Sequence, residues 1–268
     1  ALVAIHPLFA AWVAILAAIV IGVILAVGIG YLYGQLLNRV KGSEMTVTTY
    51  VGFSVIAFMN MVWMLLPFDN GELIWPNAGK GLRNTISLAS SYSGVMNDTL
   101  AFSIGDFFVP TGLLLFFFLM CFLVWLFMRS KTGIAMSAAG TNPMFAKAAG
   151  INVNRMRLVG TILSTVLAAV GILVYAQAFG FIQLYNGPMM MGFTSVADVL
   201  IGGATPRRAS IAHVLIGTFL FQGIMALGLP VVNQFIPESN LSEVMRLIIS
   251  NGIILYALAQ AKGGDSRE

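Results

Sequence analysis

The sequence predicts an all-α fold: a polytopic transmembrane helix bundle with about six full spans plus one broken or re-entrant helix. Three observations carry this expectation. Of the 268 residues, 59% are hydrophobic and only 9% charged, with a mean hydropathy of +0.91, whereas soluble domains carry roughly 25% charged residues. Apolar runs of about 20 residues, enough helix to cross roughly 30 Å of hydrocarbon, recur along the chain. The charged residues collect between these runs.

The first run, Phe9 to Leu37, ends beside Arg39 and Lys41. Within it Gly30 and Gly34 put small residues on one helix face, where a neighbouring helix can approach closely. Gly28 and Gly30 make no nucleotide fingerprint, because no strand precedes them. The second run, Met45 to Leu66, is closed by Pro67. A polar excursion over 68–108 follows, with Asp69, Glu72, Lys80, Arg83, Asp98 and Asp106; it is expected to carry short helices on one membrane face. Val109 to Met128 is the third run and contains the only cysteine, Cys121. One thiol among Phe and Leu is a small hydrophobe, and it forms neither an internal disulfide nor a Cys-rich metal site.

Leu158 to Gly180 is the fourth run. Pro188 to Pro206 is also apolar, but Gly192, Asp198 and the pair Gly202-Gly203 interrupt it. That pattern reads as a discontinuous helix, tolerable only where protein or a water-filled cavity covers the backbone. Ala209 to Leu229 and Leu241 to Ala261 complete the set. The whole of 1–268 reads as one transmembrane domain.

Lys and Arg set the orientation. Strict alternation, with the broken segment counted as a crossing, puts Arg39, Lys41, Arg129, Lys131, Lys147, Arg155, Arg157, Arg207, Arg208, Lys262 and Arg267 on one face. Only Lys80, Arg83 and Arg246 of the 14 basic residues oppose it. The basic face is expected to be cytoplasmic, so 129–157 is a cytoplasmic loop and 68–108 an extracytoplasmic segment. The net charge of +4 and the pI near 9.4 are then explained by topology, and no nucleic-acid partner is implied.

The cytoplasmic loop includes 138-AAGTNPMFAKAAGINVNRMR-157, a polar, basic insert between two apolar runs. Asn142 can cap exposed N–H groups, and Pro143 at the first helical position loses no hydrogen bond. Met144 to Ala149 favours helix, and Gly150 supplies a stop. A helix of about seven residues is too short to stand alone. Met144, Phe145 and Ala148 would form a small apolar face with Lys147 beside it. Such a helix either closes a loop or plugs a groove in a partner.

Enzyme chemistry has little to rest on. His6 and His213 are far apart and lack a metal-ligand spacing; His213 reads as a satisfied helix residue. No Ser/His/Asp set stands out. Asp198 is the most informative ionisable group, since an acid in an apolar segment should face a cavity or a partner. It either caps a broken helix, pairs with Arg207 or Arg208, or lines a solute path. Asn60, Gln177, Asn186, Gln222 and Asn251 are amides within or at the ends of spans, which more often join helices than touch substrate. As a set they suit a polar, uncharged solute, and Asn60, Gln177, Asp198 and Gln222 are the pathway candidates. Phe53, Tyr185 and Phe193 could stack on a ring, although Phe facing lipid is commoner. Met189, Met190 and Met191 could form an adaptable gate.

Ala139-Gly140-Thr141-Asn142-Pro143, Ala146 and Ala149-Gly150-Ile151-Asn152-Val153 together resemble the cytoplasmic loop of the ABC importer permeases that serve ribose-type sugars, nucleosides and related solutes. The likeness continues through Gly160, Leu163-Ser164, Leu167-Ala168-Ala169, Gly171-Ile172-Leu173, Gly192-Phe193 and Leu200-Ile201-Gly202-Gly203 to Pro206. A fainter one lies in Gly42-Ser43-Glu44-Met45. Arg207-Arg208 departs from the small residues usual in that family, and the family usually carries further spans before the one that opens this chain.

The resemblance implies a multi-pass permease of the bacterial inner membrane that moves a simple sugar or nucleoside. It binds no cofactor of its own; ATP and Mg reside on a partner. That fits the lack of any G-x-x-x-x-G-K-[ST] phosphate loop. The implied partners are a cytoplasmic ABC ATPase, a second permease chain, an extracytoplasmic solute-binding protein and membrane lipid. Thr141, Asn142, Pro143, Met144, Phe145, Lys147 and Gly150 would then couple the permease to the ATPase. The competing class is a self-sufficient channel or ion-coupled carrier, which would want a coupling acid pair or a selectivity ring.

Overall fold

A computed structural model of the chain describes residues 2–40, 42, 44–65, 85–88, 93–105, 107–184, 187–205, 209–235, 248, 251–253 and 255–256. The chain divides into two compact units, Ala1–Tyr185 and Asn186–Glu268.

The first unit is built on two long helices, α1 (Leu2–Arg39) and α7 (Val153–Phe179), packed against each other. They run antiparallel: Asn38 Nδ2 donates to the Asn154 carbonyl at 2.9 Å at one end, while Gly22 faces Leu173 farther along. Gly30 and Gly34 lie on this seam, as their spacing predicts. A Cβ at Gly30 would stand 3.0 Å from Ile162 Cα, and one at Gly34 would stand 2.6 Å from Leu158 Cδ1. Without side chains there, the two backbones approach closely and recover dispersion contacts that lipid would otherwise supply.

Two further long helices belong to this unit, α2 (Glu44–Leu65) and α4 (Thr111–Met128). Among the described residues four helices are long and apolar enough to cross a membrane: Ala10–Arg39, Thr46–Trp63, Thr111–Met128 and Val153–Phe179. These match the first four apolar runs of the sequence. Ile15, Met96, Val170 and Val174 form the buried core, with Leu113, Phe116 and Met120 of α4 packed against it.

The described part of 68–108 holds strands as well as a helix, which the expectation of short helices alone did not include. β1 (Thr85–Ser87) pairs antiparallel with β4 (Phe181–Gln183) just past the end of α7, and β2 (Phe102–Ile104) pairs with β3 (Phe107–Val109). Between them the one-turn α3 (Val95–Asp98) rests on α7. Residues 66–84 and 89–92 lie outside the described residues.

At the opposite end of α7 sit α5 (Lys131–Thr141) and α6 (Pro143–Ala148). The second unit contains α8 (Gly187–Ile201) and α9 (Ile211–Phe235), which pack antiparallel. Gly192 was expected to break this segment, but α8 runs through it without interruption. The stop falls at Gly202-Gly203, where Gly203 has φ +93°. Its N–H donates to the Leu200 carbonyl at 3.0 Å, and Ala204 N–H donates to the Val199 carbonyl at 3.2 Å. These two bonds satisfy carbonyls that a helix end leaves open. With 15 residues, α8 is about 22 Å long at 1.5 Å per residue, short of a bilayer core.

Ser210 starts α9 by accepting from His213 N–H at 3.4 Å. Ala197 and Phe221 form the buried contact between α8 and α9, and Ile253 packs beside it. Most of the last expected span, 241–261, and Arg207 and Arg208 lie outside the described residues.

Candidate functional site

The basic insert between α4 and α7 is more structured than its sequence suggested. It holds two helices instead of one. Ser130 opens α5, its Oγ accepting from Gly133 N–H at 3.2 Å. Asn142 then serves two helices at once. Its N–H donates to the Ala138 carbonyl at 3.1 Å, closing α5. Its Oδ1 accepts from Phe145 N–H at 3.0 Å, opening α6 with Pro143 in the first turn.

α6 ends at Gly150, whose φ of +80° a side-chain-bearing residue adopts only at a cost. Gly150 N–H donates to the Lys147 carbonyl at 3.0 Å, and Ile151 N–H donates to the Ala146 carbonyl at 2.9 Å. Asn152 immediately caps α7 through Arg155 N–H at 3.0 Å. Every turn from 142 to 153 is thus closed by a cap.

Burial explains what holds so short a helix. Ala146 is fully buried against Ala139 and Val153, with Ile151 and Met156 around them. This small cluster ties α6 to both α5 and α7. The neighbours of Ala146 point the other way: Met144 is 82% exposed and Phe145 69%. Pro143, Lys147 and Ala148 are exposed too. Thr141 is exposed, and its hydroxyl is spent on the Ser137 carbonyl at 2.9 Å. The helix therefore turns one alanine inward and presents two large apolar side chains, flanked by a cation, outward.

Of the four pathway candidates, Asn60 and Gln177 lie in the first unit and Asp198 and Gln222 in the second. Gln177 on α7 is fully buried. Its Oε1 accepts from Met96 N–H at 3.1 Å, and its carbonyl accepts from Gly94 N–H at 2.8 Å. With Asn97 Nδ2 donating to the Ala178 carbonyl at 3.2 Å, these bonds fasten α3 to the end of α7. Gln177 Nε2 and Asn97 Oδ1 are buried without a hydrogen-bond partner. Asn60 lies on α2, a helix that is mostly exposed, and its Oδ1 is likewise buried and unpaired.

In the second unit Asp198 is buried on α8, and its Oδ1 has no hydrogen-bond partner. It stands inside the helix, so it caps no helix start. At this level α8 and α9 come into backbone contact: a Cβ at Gly217 would strike the Asp198 carbonyl, and one at Gly202 would strike the His213 carbonyl. His213 was expected to be satisfied, yet its Nδ1 is buried without a hydrogen-bond partner. Gln222, near Phe221, is exposed. Phe53 and Phe193 are exposed on their helices; Tyr185 lies outside the described residues, as do the side chains of Met189 and Met190.

A family described as branched-chain amino acid transport system / permease component matches residues 1–258. The chain belongs to this permease family. It is similar to the nucleoside ABC transporter permease protein NupC of Lactococcus lactis subsp. cremoris (strain MG1363), with 32% identity over 111 residues, 41% of this chain and 35% of that protein. It is also similar to the probable ABC transporter permease protein YphD of Escherichia coli (strain K12), with 30% identity over 168 residues, 59% of this chain and 49% of that protein. In each case the matched stretch is less than half of the relative. No solved structure matches. Family and apolar helices together make this a membrane protein of the ABC permease type.

Proposed function

We propose that the chain is the permease subunit of a binding-protein-dependent ABC importer in the bacterial inner membrane, forming the path for a small polar solute such as a nucleoside or simple sugar. The observation that carries this reading is the rigidly capped α6 with Met144 and Phe145 turned outward. Coupling demands a stiff element tied to the spans at both ends, and a six-residue helix locked to α5 and α7 meets that demand. Phe145 and Met144 would seat in a groove of the cytoplasmic ATPase, with Lys147 at the rim and Thr141 to Gly150 fixing the angle. ATP and Mg would be held by that ATPase.

The pathway would be completed by a second permease chain, identical or related, beneath an extracytoplasmic solute-binding protein docked near 68–108. At least one of Asn60, Gln177, Asp198 and Gln222 would face the solute, because unpaired polar groups in apolar helices are costly unless water or substrate meets them. The nucleoside relative supports the solute class.

The test is uptake of radiolabelled nucleosides and simple sugars into proteoliposomes containing the permease, the ATPase and the binding protein. ATP-dependent uptake that requires all three components is expected. Flux through the purified chain alone, or uptake driven by an ion gradient without ATP, would instead establish a channel or carrier.

A further inference from the structure

The end of α4 carries a feature that coupling and solute passage leave unused. Phe118, Phe122, Trp125 and Arg129 follow at intervals of four, three and four residues, which places them along one helix face. All four are exposed, and no residue of this helix is buried. Phe122 and Trp125 stack with ring centroids 5.8 Å apart, and the Arg129 guanidinium lies 4.1 Å above the Trp125 ring. A guanidinium lying over a ring keeps its N–H groups in its own plane, free to grip an oxyanion in bidentate fashion. Lys131, also exposed, adds a second cation two residues on.

The sequence around these cations carries no acid. Between Asp106 and Asp198 there is no Asp or Glu, and α1, α5, α6 and α7 contain none either. An aromatic stripe ending in Trp and then Arg matches the order of materials at a leaflet boundary: acyl chain, interface, phosphate.

We propose that Phe118, Phe122, Trp125, Arg129 and Lys131 form a binding site for one anionic phospholipid. Its acyl chain lies along the aromatic stripe, and its phosphate is held by Arg129 and Lys131. The site rests on the membrane placement of α4 and is independent of what α6 binds.

Native mass spectrometry of the detergent-purified full chain tests the site, with phosphatidylglycerol, phosphatidylcholine of the same acyl chains, or inorganic phosphate added. The wild type should retain phosphatidylglycerol in preference to phosphatidylcholine, and inorganic phosphate should not displace it. Removing each cation should cost about fivefold in retention, so Arg129→Gln with Lys131→Gln should erase the preference. Trp125→Leu should weaken it with both charges in place, whereas Lys147→Gln with Arg155→Gln should leave it unchanged. Equal retention of the two lipids by the wild type overturns the site, as does a preference that survives the Arg129 and Lys131 changes. If those two changes release the ATPase while phosphatidylglycerol stays bound, the cations belong to an acidic protein surface and the lipid site is wrong. Loss of ATPase attachment in Phe145→Ala with lipid retention intact bears only on the proposed coupling role.

Discussion

α6 and α8 end by the same device and do opposite things with their side chains. Both stop at a left-handed glycine, Gly150 or Gly203, whose N–H and successor close the last turn. Yet α6 buries only Ala146 and exposes Met144 and Phe145, whereas α8 buries Ala197 and Asp198 against α9. The stop decides where the chain turns; the residues before it decide whether the helix holds its own unit together or offers a surface. A short helix with a small residue inward and large ones outward is fitted to dock. A helix that brings glycine against a neighbour's backbone is fitted to pack.

That contrast breaks most visibly at Gly217. Its substitution by Val would drive a branched side chain into the Asp198 carbonyl. Overpacking of this kind costs about 1–3 kcal/mol and sometimes more. Here the obstacle is backbone, so the upper end or beyond is expected, read as loss of monodisperse protein and a lowered unfolding temperature in detergent. Wild-type stability of Gly217→Val would show that α8 and α9 do not need this close approach.

The docking side of the contrast gives a smaller effect of a different kind. Phe145→Ala should leave the chain as stable as before, within about 0.5 kcal/mol, as exposed positions usually do. It should still weaken ATPase attachment, since burying one such side chain on a partner is worth roughly 1.5–3 kcal/mol. Titrating the ATPase against both forms in nanodiscs separates the two quantities.

The caps rank next. Gly150→Ala forces a Cβ into the left-handed region at about 1–2 kcal/mol, and should reduce coupling of ATP hydrolysis to uptake more than attachment. Gly150→Asn tolerates that backbone better and should recover part of the loss. Asn142→Ala removes the bond to Phe145 N–H, an N-cap worth about 1 kcal/mol. Amide exchange over 143–148 should rise. Unchanged exchange would mean that the Ala146 cluster alone holds the helix.

α6 was easier to read in the sequence than α8. Asn142-Pro143 and Gly150 are local signals, and the structure uses each as its chemistry suggests. The long spans were legible because run length alone specifies them. α5 was not: Lys131 to Thr141 buries only Gly133 and Ala139, residues too small to leave an apolar stripe. Strands of three residues are too short to show alternation. Gly192 looked like a breaker because glycine in a helix interior costs about 1 kcal/mol relative to alanine, a cost that α8 absorbs. The anchoring of α3 by Gln177 joins residues 81 apart in sequence, and no local pattern announces such a bond. For the same reason the polar candidates could be named as types but not grouped.

The most direct measurement of the central claim, that α6 is the surface through which the ATPase is engaged, is co-purification of the ATPase with a Met144→Ala, Phe145→Ala double variant, beside an unfolding curve of the permease itself. The expected result is an unchanged unfolding temperature with ATPase recovery reduced on the order of tenfold or more, the loss of at least one buried side chain's worth of binding. Full ATPase recovery and wild-type uptake with both side chains removed would contradict the claim, and would leave α6 as a loop closure between α5 and α7.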